Sequence, residues 1–208
     1  MSLHLTLGPM YSGKTTKMIK DYILEKNNSS NKQLLISYEI LDIKDGSNRS
    51  HSLLTHDNQK IDDVIHTKQL INYDMVSKIQ KADIVYVNEA QFFDDLIPFV
   101  QLCMHEGKKV YLYGLDGDFE RKPMGKILDL IPVCDTMMKL NGKCSMCDTG
   151  KSIFSHRITN KKEQIVFDHE EYVPLCRKCY IRENQELVQS SSKRAVISLS
   201  RNGTVNFS

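Results

Sequence analysis

Gly8-Pro9-Met10-Tyr11-Ser12-Gly13-Lys14-Thr15 fits G-x-x-x-x-G-K-[ST], and its reading decides the fold. The apolar run Leu3 to Leu7 precedes it and reads as a buried strand. Met18, Ile19, Tyr22 and Ile23 follow at helical spacing. The glycines let the backbone curl so that successive N–H groups face phosphate oxygens. The helix that opens there adds the positive end of its dipole. Lys14 brings a point charge for the β- and γ-phosphates, and Thr15 a hydroxyl for Mg²⁺. The bland alternative is a glycine turn that matches by accident. Average residue usage gives about one chance match in a hundred chains of this length. Requiring a strand before and a helix after lowers that further, so Gly8 to Thr15 is read as a nucleotide phosphate cradle.

Outward from the cradle, Asn27 to Asn31 is a polar breaker that ends the helix, and Gln33 to Tyr38 is a second strand. Strand, helix, strand at this spacing predicts a right-handed βαβ unit in a parallel sheet. From Glu39 to Lys60 the chain reads as a long polar loop, a length that is usually functional. Val64 to Ile79 has no clear pattern, apart from a weak helix over Asp74 to Lys81. Ile84 to Val87 is the most apolar strand and ends in Asn88-Glu89. Asp94-Asp95 are expected to cap an apolar helix running to Gly107, with Pro98 in its first turn. Lys109 to Leu115 is a strand, Asp116 to Asp118 a turn and Phe119 to Gly125 a loop. Ile127 to Ile131 is a short helix or turn, and Met137 to Leu140 a last strand. The expectation is an α/β P-loop domain over 1–140, a small metal-binding domain over 141–182 and a polar, partly disordered tail over 183–208.

The chain's 208 residues suffice for one full domain and a small appendage. Hydrophobic content of 40% and charged content of 26% are ordinary for a soluble globular protein. A net charge of +2 gives no footprint for nucleic acid or an anionic membrane, so neither is expected as a partner. No secretory leader pattern is present, and no apolar run approaches the ~20 residues of a membrane span. A cytoplasmic protein is expected.

Cys144-x-x-Cys147 and Cys176-x-x-Cys179 are two chelating turns. Two such turns complete a tetrahedron of thiolates around Zn²⁺. Their separation exceeds the usual zinc-ribbon spacing and leaves room for an extended hairpin or lasso. Two disulfides or a redox pair are the alternatives, and neither explains two pairs of equal spacing without a secretory signal. Four thiolates leave no open position, so the zinc is structural. Cys103 and Cys134 lie in apolar surroundings and read as core residues.

Glu89 ends the most apolar strand, and in parallel α/β sheets ligand chemistry collects at that end. A carboxylate there can act as general base toward an attacking hydroxyl. A solvated loop acid is the plain alternative. The residue before it is Asn88, where most P-loop enzymes carry an Asp that holds the Mg²⁺ water shell. An amide oxygen accepts from metal-bound water without charge, so weaker Mg²⁺ affinity is expected.

Together these residues resemble the type II (thymidine-kinase-1-like) thymidine kinases over roughly residues 3 to 180. The resemblance is carried by GPMYSGKTT, NEAQFF at Asn88 to Phe93, LDGDFERKPMG at Leu115 to Gly125, the paired cysteines and Tyr172-x-x-x-Cys176-x-x-Cys179. It implies a RecA-like α/β domain, a zinc domain with a lasso over the base, and usually a homotetramer. It implies ATP-dependent phosphorylation of the 5′-hydroxyl of thymidine or deoxyuridine, with dTTP as feedback inhibitor. Glu89 would be the base. Asn88, Gln91 and Arg49 would join the cradle around ATP and Mg²⁺. Phe119 and Tyr172 would pack on the thymine, and Met10, Phe92, Leu115 and Met124 would line its pocket. A strand made of Glu163, Gln164, Ile165, Val166 and Phe167 would bond the base edge through its backbone. Ser155 falls where the family often has a small hydroxyl residue near the base.

The chain departs from the family at Asn88, at Ser47-Asn48-Arg49, at Asp118 and Met124, and at Phe167-Asp168 in place of Gly-Gly. Arg121 or Lys122 would add charge near the phosphates, unless both are solvated surface residues. Two other readings stand beside the kinase. One is a P-loop ATPase whose zinc knuckle binds nucleic acid; the other is a nucleotide-responsive protein without catalysis.

Overall fold

The computed structural model describes residues 1–28, 30–40, 52–54, 60–147 and 150–184. Arg49, most of the polar loop at 41–59 and all of the expected tail except residues 183–184, which are helical, lie outside them. In chain order the elements are β1 (Ser2–Leu7), α1 (Lys14–Asn28), β2 (Gln33–Tyr38), β3 (Ser52–Leu54), β4 (Lys60–Asp62), β5 (Val64–Thr67), α2 (Tyr73–Lys81) and β6 (Ile84–Asn88). They continue with α3 (Leu96–His105), β7 (Lys109–Gly114), β8 (Thr136–Lys139), β9 (Gly142–Lys143), β10 (Lys151–Ser152), β11 (Phe154–Arg157) and β12 (Tyr172–Leu175).

Six strands form one parallel sheet in the order β5-β2-β6-β7-β1-β8. The fold is α/β with a parallel sheet, as the alternating pattern predicts. β1 and β2 are not neighbours, because β6 and β7 insert between them. The unclear stretch after Val64 begins with β5, a four-residue edge strand too short to show a period.

Strand alternation covers the sheet on both faces. Leu3, Leu5, Leu7, Ile36, Val85, Val87, Val110 and Leu112 point toward α2, α3 and the 3₁₀ turn Ile127–Val133. Leu35, Ile84, Tyr86 and Tyr113 face the other way, against Met18 and Ile19 of α1. Both α1 residues are fully buried, whereas Ile23, expected on the same stripe, is exposed. Cys103 is buried in the core and Cys134 half-buried at its margin.

Asp95 precedes α3 but makes no side-chain cap. Its Oδ2 instead accepts from the amides of Leu70 and Ile71, each at 2.8 Å, and ties the chain before α2 to the start of α3. The cap is supplied at α2, where Asn72 Oδ1 accepts from Met75 N at 2.9 Å. No helix among the described residues is long and apolar enough to cross a membrane.

Candidate active site

β6, β7 and β1 are adjacent, and their registers align Asn88 with Tyr113 and Leu7 with Gly114. Glu89, Leu115 and Gly8 therefore leave the sheet along one edge. This is the edge where parallel α/β sheets place ligands.

The phosphate loop turns through Gly13 (φ +84°) into α1 at Lys14. Lys14 is buried, and its Nζ donates to the Pro9 carbonyl at 2.8 Å. Burial pushes the Lys14 ammonium below its ordinary pKa, while the carboxylates of Glu89 and Asp116 pull it back up. The two acids that follow β6 and β7 thus act electrostatically on the cradle lysine. Ser12 Oγ is buried with no partner among the described residues. A buried ammonium and an orphaned hydroxyl at a helix N-terminus fit the phosphates of ATP. Met10 N donates to Ser155 Oγ at 2.9 Å, which joins the loop to the C-terminal part of the chain. Tyr11 is exposed and Thr15 half-buried in the first helical turn.

Glu89 sits at φ 54°, ψ 42°, left-handed for a residue other than glycine. That conformation costs about 1 kcal/mol and is held only where its surroundings over-determine it. Gln91 supplies part of that hold. Its Nε2 donates to Glu89 Oε2 at 2.8 Å and its Oε1 accepts from Leu115 N at 2.9 Å. Gln91 is itself fixed from behind by Gly125 (φ +60°), where a Cβ would lie 1.9 Å from the Gln91 carbonyl. Asn88 is buried, and its Nδ2 donates to Ser37 Oγ at 3.2 Å.

The four cysteine sulfurs lie within 4.8 Å of one another. Cys147 Sγ and Cys176 Sγ are 3.7 Å apart. A tetrahedral Zn²⁺ with bonds of ~2.3 Å needs sulfurs about 3.8 Å apart, so the cluster fits the ion. Burial raises the pKa of the Cys144 thiol, but the amides of Cys176, Met146 and Cys147 outweigh it and bring it to about 6. Gly150 lets the backbone pass the cluster, since a Cβ there would come within 2.9 Å of two of the sulfurs.

From this cluster rises the antiparallel pair β11–β12, whose connection, residues 158–171, is the lasso. The lasso meets the α/β sheet through rings. Phe167 lies 5.2 Å from Phe92 and stacks on Tyr38 at 6.2 Å. Gln164 Nε2 donates to Asp118 Oδ2 at 2.8 Å, and Asp118 Oδ1 caps the turn below it through the amides of Glu120 and Lys122. Tyr180, in the helical residues 177–184, donates to the Phe119 carbonyl at 2.6 Å.

The structure departs from expectation at one place. Residues 163–167 are irregular and not a strand, because Arg157 takes the carbonyls of Glu163 (2.5 Å) and Gln164 (3.3 Å) that a ladder would use. Glu163, Gln164, Ile165 and Phe167 are exposed and Val166 half-buried. Phe119 and Tyr172 both meet the Arg157 guanidinium, at 3.8 and 5.0 Å from their ring centres. Arg121 lies over the Tyr180 ring at 5.0 Å and Lys122 pairs with exposed Glu120 at 2.6 Å, neither on the cradle. Leu115 and Met124 are buried and Phe92 half-buried near the same edge. Arg157, Tyr38 and the pairing of Asp118 with Gln164 were not anticipated. The Phe119 ring on Arg157, the Phe167 ring on Tyr38 and the Asp118–Gln164 bond each join residues remote in sequence.

The profile of the family described as "Thymidine kinase" matches residues 1–180. The thymidine kinase of Sheeppox virus is 36% identical over 182 residues, covering 87% of this chain and 97% of that protein. That of Choristoneura fumiferana entomopoxvirus is 37% identical over 88% of this chain and 98% of the relative. That of rice is 30% identical over 98% of this chain and 74% of its own length. A solved chain from a study of two coordinating Pif1 helicases at forked DNA has a TM-score of 0.30 at 15% identity. It covers 64% of this chain and 33% of the helicase chain, and no argument rests on it. A family match over most of the chain, viral relatives at 36% and 37% identity across nearly their full length, and a cradle set beside Glu89 agree on one statement: the chain belongs to the thymidine kinase family.

Proposed function

We propose that the protein transfers the γ-phosphoryl group of ATP to the 5′-hydroxyl of thymidine, or of deoxyuridine, and so serves nucleotide salvage. One observation carries the reading. The acid that ends β6 and the buried lysine of the phosphate loop lie on one sheet edge, near enough to interact.

Lys14, the loop amides and Ser12 would hold the triphosphate. Mg²⁺, when bound, offsets charge on the β- and γ-phosphates, and Thr15 and Asn88 would hold it. Asn88 contributes no charge, so weak Mg²⁺ binding is expected. Glu89, oriented by Gln91, takes the proton from the 5′-hydroxyl as its oxygen attacks the γ-phosphorus in line, the bond to the β,γ-bridging oxygen breaks and ADP leaves. The lasso closes over the pyrimidine and excludes water, which strengthens every electrostatic contact inside. Met10, Phe92, Leu115, Met124 and Tyr172 would surround the base. Structural Zn²⁺ would hold 141–182 as a substrate-binding unit beside the catalytic domain of 1–140. With the resemblance we also infer a homotetramer, dTTP feedback and a cytoplasmic location.

A panel of the four deoxynucleosides with ATP tests this. Turnover with thymidine, absent with the purine nucleosides, supports the reading. ATP turnover that responds to DNA and not to thymidine replaces it with a nucleic-acid-stimulated ATPase.

A further inference from the structure

We propose that Arg157 is the positioning residue that shapes the lasso: its guanidinium holds residues 158–168 closed by their main-chain carbonyls, and nucleoside affinity depends on that grip. The inference rests on the reading of this loop as the nucleoside clamp.

Arg157 is the last residue of β11 and is 5% exposed. Its Nη1 donates to the carbonyls of Lys161 at 2.9 Å and Glu163 at 2.5 Å. Its Nη2 donates to the carbonyl of Gln164 at 3.3 Å and to the hydroxyl of Tyr172. The flat face of the group lies 3.8 Å from the centre of the Phe119 ring. No carboxylate among the described residues pairs with it. A buried charge without a counter-ion persists only where its donors are used. Here the carbonyls, a hydroxyl and a ring face take the place of the anion. Among the described residues only Nε is left without a partner.

The loop has little else to define it. Most of its side chains point to solvent, and no ladder crosses it. Thr159 and Lys161 bond Glu171 at its base, Gln164 donates to Asp118 and Pro123, and Phe167 meets the rings of Phe92 and Tyr38. Arg157 alone bonds three of its main-chain carbonyls, and its guanidinium also lies against Phe119 of the 115–125 segment. A lysine cannot substitute, since a point charge lacks both the fork and the planar face.

The test uses R157K and Tyr172→Phe in the full chain. Tyr172→Phe removes only the hydroxyl that Nη2 binds and keeps the ring. Each is assayed for thymidine and ATP KM, zinc content and tryptic cleavage at Lys161-Lys162 without ligand. For R157K we expect thymidine KM to rise at least tenfold, ATP KM to stay within twofold, zinc to stay bound and cleavage to accelerate at least tenfold. For Tyr172→Phe we expect the same pattern at about threefold. Wild-type cleavage rates in both variants overturn the proposal, as does an equal rise in both KM values. A wild-type protein that leaves thymidine unphosphorylated refutes the kinase reading instead, while the ligand-free proteolysis still decides the role of Arg157.

Discussion

Gln91 holds Glu89 from one side only. Its amide donates to Glu89 Oε2 at 2.8 Å, and the other half of the same side chain is anchored on Leu115 N at 2.9 Å. Glu89 Oε1 carries no such bond among the described residues, and in the proposed reading it is the atom that takes the proton. Glu89→Gln should lower kcat by about 10²–10⁴, the usual worth of a general base. Gln91→Leu should lower kcat by roughly tenfold or more, with both KM values nearly unchanged, because it disorders the base without removing it. A Gln91→Leu enzyme with normal kcat would show that Glu89 needs no such support.

Burial holds Lys14 below its ordinary pKa in the free protein. A bound triphosphate must raise it again. Between the two values, nucleotide binding takes up a proton, and ATP affinity falls as pH rises through the free-protein value. The sign for stability is the reverse. The unfolded chain binds the extra proton in that window, so this lysine's contribution to stability grows with pH. Calorimetric titration of ATP in two buffers of different ionisation enthalpy measures the proton directly. Identical heats in both would contradict the account.

The phosphate loop, Glu89 and the cysteine pairs were legible because each writes its chemistry into a few consecutive residues. The two-sided burial of β6 was legible for the same reason, as an unbroken apolar run. What could not be read were contacts that only the folded chain makes. Asp95 has the residue type and position of a cap, yet two amides some 24 residues earlier use it. Glu163 to Phe167 has strand-like composition, but one arginine six residues upstream of Glu163 claims its carbonyls. Tyr38 ends a strand like any other, and only the folded chain brings it against Phe92, Phe93 and Phe167.

Asp95 supplies a stability prediction. Asp95→Ala leaves the amides of Leu70 and Ile71 without their acceptor, but only the Leu70 bond is partly buried. An unsatisfied, partly buried donor costs about 1–3 kcal/mol, so the substitution should cost about that much. Asp95→Asn keeps an acceptor and should cost less than half as much. Urea titration should show a lower midpoint with an unchanged slope. A midpoint within error of wild type would mean that water replaces the carboxylate.

Removing the metal should separate the two halves of the site. The lasso hairpin and the helical residues 177–184 are built on the cysteine cluster, whereas Lys14 and Ser12 are held by the α/β sheet. Chelation should abolish thymidine turnover while a non-hydrolysable ATP analogue still binds within about tenfold, and added Zn²⁺ should restore turnover. Loss of ATP-analogue binding in step with zinc would place the cluster's influence on the cradle as well, through Met10 and Ser155.

The most direct test of the central claim follows the phosphoryl group itself. Protein is mixed with γ-labelled ATP and either thymidine or a thymidine analogue that lacks the 5′-hydroxyl. The account predicts label in thymidine 5′-monophosphate with the first, and neither labelled nucleotide nor matching ATP loss with the second. Release of labelled inorganic phosphate at one rate in both mixtures would contradict it.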